Sequence, residues 1–348
     1  MDHILQLTSR KRETYNVHLT YSLLWESALG IAAITNKKLI NTLERPEKYW
    51  GEIKKSISDG LLEQLEFVEQ NNTWKSLLQI LHQREFKDLS EFIIYINGLQ
   101  ETELRFICLP FIGKDYQNYR EKAAQGEKSS VEKLVQATAN NSFFPTYIEF
   151  ISQCDIVLLK EHLIQVMSNW YKEVLERDVA ETSIILKNDY EAKKKMSNKL
   201  TPEELVQWAT GGVTYAPEPS VHHVLLIPQY IYRPWNIEAD MEETKVFYYP
   251  VANESITPND KYTPNNFLVL KHKALGDEAR LRIVKLLSEE NRTLQEITDQ
   301  LDIGKSTIHH HLKILRAAKL VEIVGSKYCL KKGAMELLFK ELEVYLEK

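Results

Sequence analysis

The spacing of apolar residues predicts helices through most of the first 210 positions. Leu19, Leu23, Ala28 and Ile31 alternate at helical spacing over residues 18–34, and Trp50, Ile53, Ile57, Leu61, Leu65 and Val68 form one long stripe over 49–70. Shorter stripes follow at Trp74, Leu77, Leu78 and Leu81, and at Leu89, Phe92, Ile93 and Ile96, where Gly98 stops the pattern. Ser130 precedes Val131, Leu134 and Val135, and Asp155 opens a helix that reaches about residue 177. A helix over 182–196 ends in Lys193, Lys194 and Lys195, which read as a solvated helix surface. Thr201, Pro202 and Glu204 supply a cap, a proline at the first helical position and an acid at the third, and Gly211-Gly212 ends that helix.

The pattern changes at residue 213. Residues 213–215, 221–232 and 244–249 are rich in β-branched and aromatic side chains and are separated by turn formers, which predicts a small antiparallel sheet with Pro228 and Pro234 at edges or bulges. Residues 253–266, polar and holding Pro258 and Pro264, read as a linker. Four short helical patterns and a hairpin then occupy 267–331. Asp277 caps a helix whose apolar residues are Leu281, Val284 and Leu287, and Thr293 with Glu296 forms a capping box before Leu294, Ile297 and Leu301. After a turn at Asp302, Ile303 and Gly304, a helix starting near Lys305 aligns Ile308, Leu312 and Leu315 on one face. Its outward face carries Ser306, His310, Lys313 and Ala317, flanked by His309 and Arg316 on one side and Thr307 on the other. Short polar and cationic side chains of this kind donate to base edges and phosphates when a helix lies in a major groove. Gly325-Ser326 suits the turn of a two-stranded wing whose cation is Lys327.

This stretch resembles the ArsR family of bacterial winged-helix repressors. The resemblance rests on Lys273-Ala274-Leu275-Gly276-Asp277, Ala279-Arg280-Leu281-Arg282-Ile283, Ser306-Thr307-Ile308, His310-His311-Leu312-Lys313-Ile314-Leu315 and Leu320-Val321, and it covers about a fifth of the chain. It implies dimeric, sequence-specific binding to double-stranded operator DNA with release triggered by a signal. Gly304 stands where the family usually has a serine cap, and the wing is short. No cysteine lies in 293–301, where arsenic sensors carry a pair, and no histidine follows His311, so no metal site is expected. A final helix over 333–347 sets Met335, Leu338, Leu342 and Tyr345 on one face, and the resemblance implies that a partner subunit covers it.

Composition narrows the picture. At 348 residues the chain has room for two or three domains, and 43% hydrophobic content indicates packed globules. No apolar run approaches the ~18 residues of a membrane helix, and residues 1–13 lack a signal-peptide core, so a cytoplasmic protein without a membrane partner is expected. Three dispersed cysteines suggest reduced thiols. Residues 267–348 hold 15 Lys and Arg against 12 Asp and Glu, a net of +3, while the rest carries −8, so the basic end is the one suited to phosphate. His222 and His223 point to opposite faces of a strand, and His309, His310 and His311 fan around a helix, with His311 near its buried edge. No serine or cysteine has a visible base partner, so neither enzyme activity nor a cofactor is expected.

The sequence therefore reads as mainly α: a helical body over 1–252 with a small antiparallel sheet at about 213–250, a linker over 253–266, and a winged helix-turn-helix with a dimerisation helix over 267–348. The DNA-contacting set is Lys305, Ser306, Thr307, His309, His310, Lys313, Arg316 and Lys327. A repressor whose body senses an organic small-molecule effector is the expected function, and a docking module or an enzyme fused to a DNA reader are the competing classes. Aromatic residues gather where the last body helix meets the sheet, and Trp208, Tyr230, Tyr232, Arg233 and Trp235 are the candidate effector pocket. Taken one residue at a time, a plain seam between helices and sheet is the favoured reading.

Overall fold

The structure is a computed structural model that describes residues 14–258, 260 and 262–347. Residues 1–13, where no signal-peptide core is expected, lie outside the described residues. Among the described residues thirteen helices build the body: α1 Leu23–Ile34, α2 Lys37–Ile40, α3 Glu47–Ser56, α4 Asp59–Asn71, α5 Trp74–Leu81, α6 Leu89–Gly98, α7 Glu101–Cys108, α8 Gln117–Ala124, α9 Lys128–Ala137, α10 Phe144–Gln153, α11 Ile156–Trp170, α12 Val179–Ser197 and α13 Pro202–Ala209. A single π turn and a 3-10 turn carry the chain from α11 to α12. Every residue of α1 after its first is buried. A helix without a polar face can only be a central one, and the others wrap it.

The sheet comprises β1 Asn16–Leu19, β2 His223–Gln229, β3 Ile237–Met241 and β4 Thr244–Pro250 in the order β1-β2-β4-β3. It corrects the expected antiparallel sheet, because β1 and β4 both run parallel to β2 and only β3 is antiparallel to its neighbour β4. Residues 213–215 form no strand, and β1 takes the start of the predicted helix over 18–34. Pro228 lies in a strand with neighbours on both sides, yet β1 pairs only as far as Leu226, so the missing N–H of Pro228 faces no partner there. Both faces of the sheet are covered, as parallel strands require. Ile227, Val246 and Tyr248 join the main helical core, whereas Val224, Leu226, Phe247 and Tyr249 pack on α13.

The chain continues through α14 Asn253–Ile256, α15 Asn266–Leu275, α16 Glu278–Glu289, α17 Leu294–Leu301, α18 Lys305–Ala317, the hairpin β5 Val321–Val324 and β6 Lys327–Leu330, and α19 Lys332–Leu346. The head of the expected linker is tied down: the Asp189 carboxylate accepts from the Ala252 N–H at 2.7 Å and the Ser255 hydroxyl at 2.9 Å. The winged helix has its own core of Ile283, Leu287, Ile297, Ile308, Leu312, Leu315 and Leu320. Leu281, expected in that core, is 50% exposed, and Ile283 takes its place. Among the described residues no helix is long and apolar enough to cross a membrane.

The winged helix does not hang free. Leu337 of α19 belongs to the body cluster that holds Leu205, Val206 and Trp208. Lys340 pairs with Glu204 at 2.6 Å and Lys199 with Glu347 at 2.7 Å, while the Lys331 ammonium donates to the Gly212 carbonyl.

Candidate nucleic-acid interface

Local rules place each part of the helix-turn-helix. The Asp277 carboxylate accepts from the Arg280 N–H at 3.0 Å and starts α16, and that bond holds its carboxyl below the usual range. Thr293 and Glu296 cap α17 reciprocally, which likewise lowers the Glu296 carboxyl. Asp302 then takes a left-handed conformation, φ 53°, so the chain leaves α17 sharply before Gly304 starts α18 without a side-chain cap. Arg280 ties this frame together, donating to the carbonyls of Ala274 at 2.6 Å and Lys273 at 3.1 Å at the end of α15.

Ile308, Leu312 and Leu315 are fully buried, which fixes the rotation of α18. Lys305, Ser306, Thr307, His309, His310, Lys313 and Arg316 are all exposed. Among the described residues, Lys305, Lys313 and Arg316 form no ion pair and no side-chain hydrogen bond, so their donors face solvent. His311 is turned inward, with Nδ1 3.9 Å from Asp277 Oδ1. At the tip of the wing Gly325 has φ +62°, the conformation the first position of a II′ turn demands, and Lys327 beside it is exposed. The recognition face and the wing lie on consecutive elements of one small domain, and the helix presents a polar, cationic ridge of the kind that fits a groove.

The other candidate residues are divided. In α19, Leu338 is buried, and the Tyr345 hydroxyl donates to the Tyr262 carbonyl at 2.9 Å. Phe339 and Leu346 are instead 77% and 73% exposed, and with the half-buried Met335 and Leu342 they recur at i, i+4, i+7 and i+11 on one outward stripe. Sequence reading missed Phe339 and Leu346 because both flanks of α19 are apolar and the one facing the body is legible only in three dimensions.

Trp208 and Arg233 do line a common cavity of about 200 Å³. Tyr230, Tyr232 and Trp235 do not. Tyr230 stacks with the Arg45 guanidinium at 4.7 Å; Tyr232 packs on the helical core, where burial pushes its hydroxyl up to about 12; and Trp235, 48% exposed, donates to Thr42. Lys193, read as solvated surface, is instead almost wholly buried in this cavity wall. Strand alternation sends Tyr248 to one face and Phe247 and Tyr249 to the other, so the aromatic run cannot line one pocket. Among the described residues no three His, Cys, Asp or Glu side chains are placed to hold a metal.

Comparison with known proteins agrees with the geometry of the C-terminal module. The sequence model of a family described as bacterial regulatory protein, arsR family, matches residues 277–322. An uncharacterized HTH-type transcriptional regulator of Methanocaldococcus jannaschii is 45% identical over 51 residues, a segment covering 14% of this chain and 57% of that relative. No solved structure matches the chain. Residues 277–322, which run from the cap of α16 through α18 into the wing, are thus an arsR-family helix-turn-helix set in a winged fold.

Proposed function

We propose that the protein is a DNA-binding transcriptional repressor that acts as a dimer and whose helical body carries the signal-sensing function. The carrying observation is the outward face of α18, exposed along its whole length, with Lys305, Lys313 and Arg316 unpaired among the described residues. Ser306, His310 and Lys313 read bases, while Thr307, Arg316 and Lys327 hold phosphates. The double variant His310→Ala, Lys313→Ala should lose about 1–3 kcal/mol of specific affinity for each base contact removed, whereas Lys327→Ala should weaken all sequences alike and flatten the salt dependence. Fluorescence anisotropy on operator and scrambled DNA at two salt concentrations separates these effects. Normal operator binding by the double variant would overturn the assignment of this face.

The dimer follows from the stripe on α19. Two large side chains as exposed as Phe339 and Leu346, joined by Met335 and Leu342, form the kind of apolar patch that marks an interface, and two copies of α18 must lie about one DNA turn, ~34 Å, apart. Phe339→Asp with Leu346→Asp should convert the dimer to a monomer by sedimentation velocity. A dimer that survives both charges is made elsewhere.

The body's role is inferred from its contacts with the winged helix, since a ligand acts on DNA affinity through its differential affinity for two arrangements of the chain. The test compares operator binding by the wild-type full chain with and without cell extract; binding that extract never alters would exclude sensing.

A further inference from the structure

The cavity that Trp208 and Arg233 share lies where body and winged helix meet. Lys193, Trp208, Arg233 and Asn253 come from the body side, and Asn265 and Phe267 are the cap and second residue of α15. Lys193 stands out in this wall. Its side chain is 3% exposed, its ammonium lies 4.1 Å from the Trp208 ring, and its ion pair with Asp189 Oδ1 spans 3.7 Å. Asp189 commits its other oxygen to Ala252 and Ser255. Among the described residues the Lys193 ammonium makes no hydrogen bond, although it carries three donors.

The remaining polar groups point the same way. Asn265 Oδ1 accepts from the Phe267 N–H at 2.8 Å, and Asn253 Oδ1 accepts from Arg233, so each side chain has its amide N–H groups left to give. The Glu44 carboxylate is taken up by Arg233, at 2.7 and 3.4 Å. The lining therefore offers donors, one of them a buried cation, together with the rings of Trp208 and Phe267. A buried ammonium is best met by a charge-assisted acceptor, and rings favour a planar apolar body. At about 200 Å³ the space is below the ~300–1,000 Å³ of drug-sized sites, so the molecule is small.

We propose that this junction binds a small aromatic or planar organic carboxylate, with its carboxylate on Lys193 and its ring between Trp208 and Phe267, and that the bound acid holds the winged helix docked on the body. The proposal rests on the reading of the body as a sensor and names its ligand class and site. Because the cavity takes walls from both parts, a ligand there has affinity only for the docked arrangement, which is the differential affinity that sensing needs.

Benzoate, acetate and inorganic phosphate serve as separate probes on the full chain, read by the thermal midpoint. Benzoate should raise the midpoint saturably by several degrees, acetate less and phosphate not at all. Lys193→Met should lose the response. Ala252→Leu, which fills the cavity and keeps every charge, should lose it too, so a folding defect of the lysine variant does not decide the matter. A midpoint that benzoate leaves unmoved, a response preserved in both variants, or a response to phosphate alone would overturn the proposal. Extract that alters DNA affinity while benzoate stabilises nothing would overturn this site and leave sensing standing. Benzoate that stabilises the wild type but neither variant, with DNA affinity indifferent to benzoate and extract, would support the site and overturn sensing.

Discussion

Gly211→Ala should loosen the winged helix from the body and lower the stability of the junction by about 2–5 kcal/mol. Gly211 has φ +67°, where an L side chain costs roughly 1–2 kcal/mol. An ideal Cβ at this position would stand 2.1 Å from the Phe267 ring, closer than any real contact, and relieving such overpacking costs ~1–3 kcal/mol more. Phe267 is the second residue of α15, so any part of the clash that its ring does not relieve by turning toward the neighbouring cavity is passed to the first helix of the DNA-reading module. Gly212 repeats the arrangement with φ +121°, packed against the Lys319 stem at the end of α18. The pair thus acts as a flat seat for the start of α15 and for the segment that follows α18. Hydrogen exchange should show faster opening of α13 and α15 in the variant. Adding Phe267→Ala should recover the overpacking part of the loss and leave the backbone part. If Gly211→Ala melted and exchanged like the wild type, the docking described here would not be the arrangement in solution.

The sequence reached some of this and not the rest, and the division follows the range of the forces involved. Caps are local: Asp277, the Thr293–Glu296 box and the Thr201–Glu204 box are all found where a pattern of four residues puts them. The face of α18 is equally local, since three fully buried residues at helical spacing fix its rotation. The wing needed only its glycine. By contrast β1 has four residues, too few for periodicity to separate strand from helix, and its partner β2 lies some 200 positions away. Parallel pairing leaves no turn signal to read, which is why an antiparallel sheet was expected from the same residues. The burial of Lys193 is not legible in a run of three lysines, because what covers it is an aromatic ring from another helix. Phe339 and Leu346 do not stand out in the sequence because the flank of α19 that the body covers is just as apolar.

Lys271→Met should cost about 3–5 kcal/mol at neutral pH, because it strands a buried carboxylate. The Lys271 ammonium of α15 reaches both oxygens of Glu341 on α19, at 2.7 and 2.8 Å, and the side chains are 1% and 8% exposed. Burial raises the Glu341 carboxyl above its usual value, and the charge and hydrogen bond of Lys271 oppose that rise. Removing Lys271 lets burial act with less opposition, so the carboxyl moves higher still. A carboxyl whose folded pKa lies above its unfolded value of ~4.3 contributes its stability in the protonated form. That contribution is fully present below the unfolded pKa and is lost as pH rises through the folded one. The deficit of Lys271→Met should therefore be largest at pH 8 and shrink toward pH 5. Replacing both partners, Lys271→Met with Glu341→Leu, removes the stranded charge and should restore most of the stability or exceed it. Urea unfolding of the three proteins at the two pH values gives the comparison. A loss that is the same at both, or a double variant as unstable as the single, would show that the pair does not carry the charge balance assigned to it. Under the proposed dimer, in which α19 supplies the Phe339 and Leu346 stripe, the single variant should weaken dimerisation and DNA binding together at pH 8 and recover both on acidification.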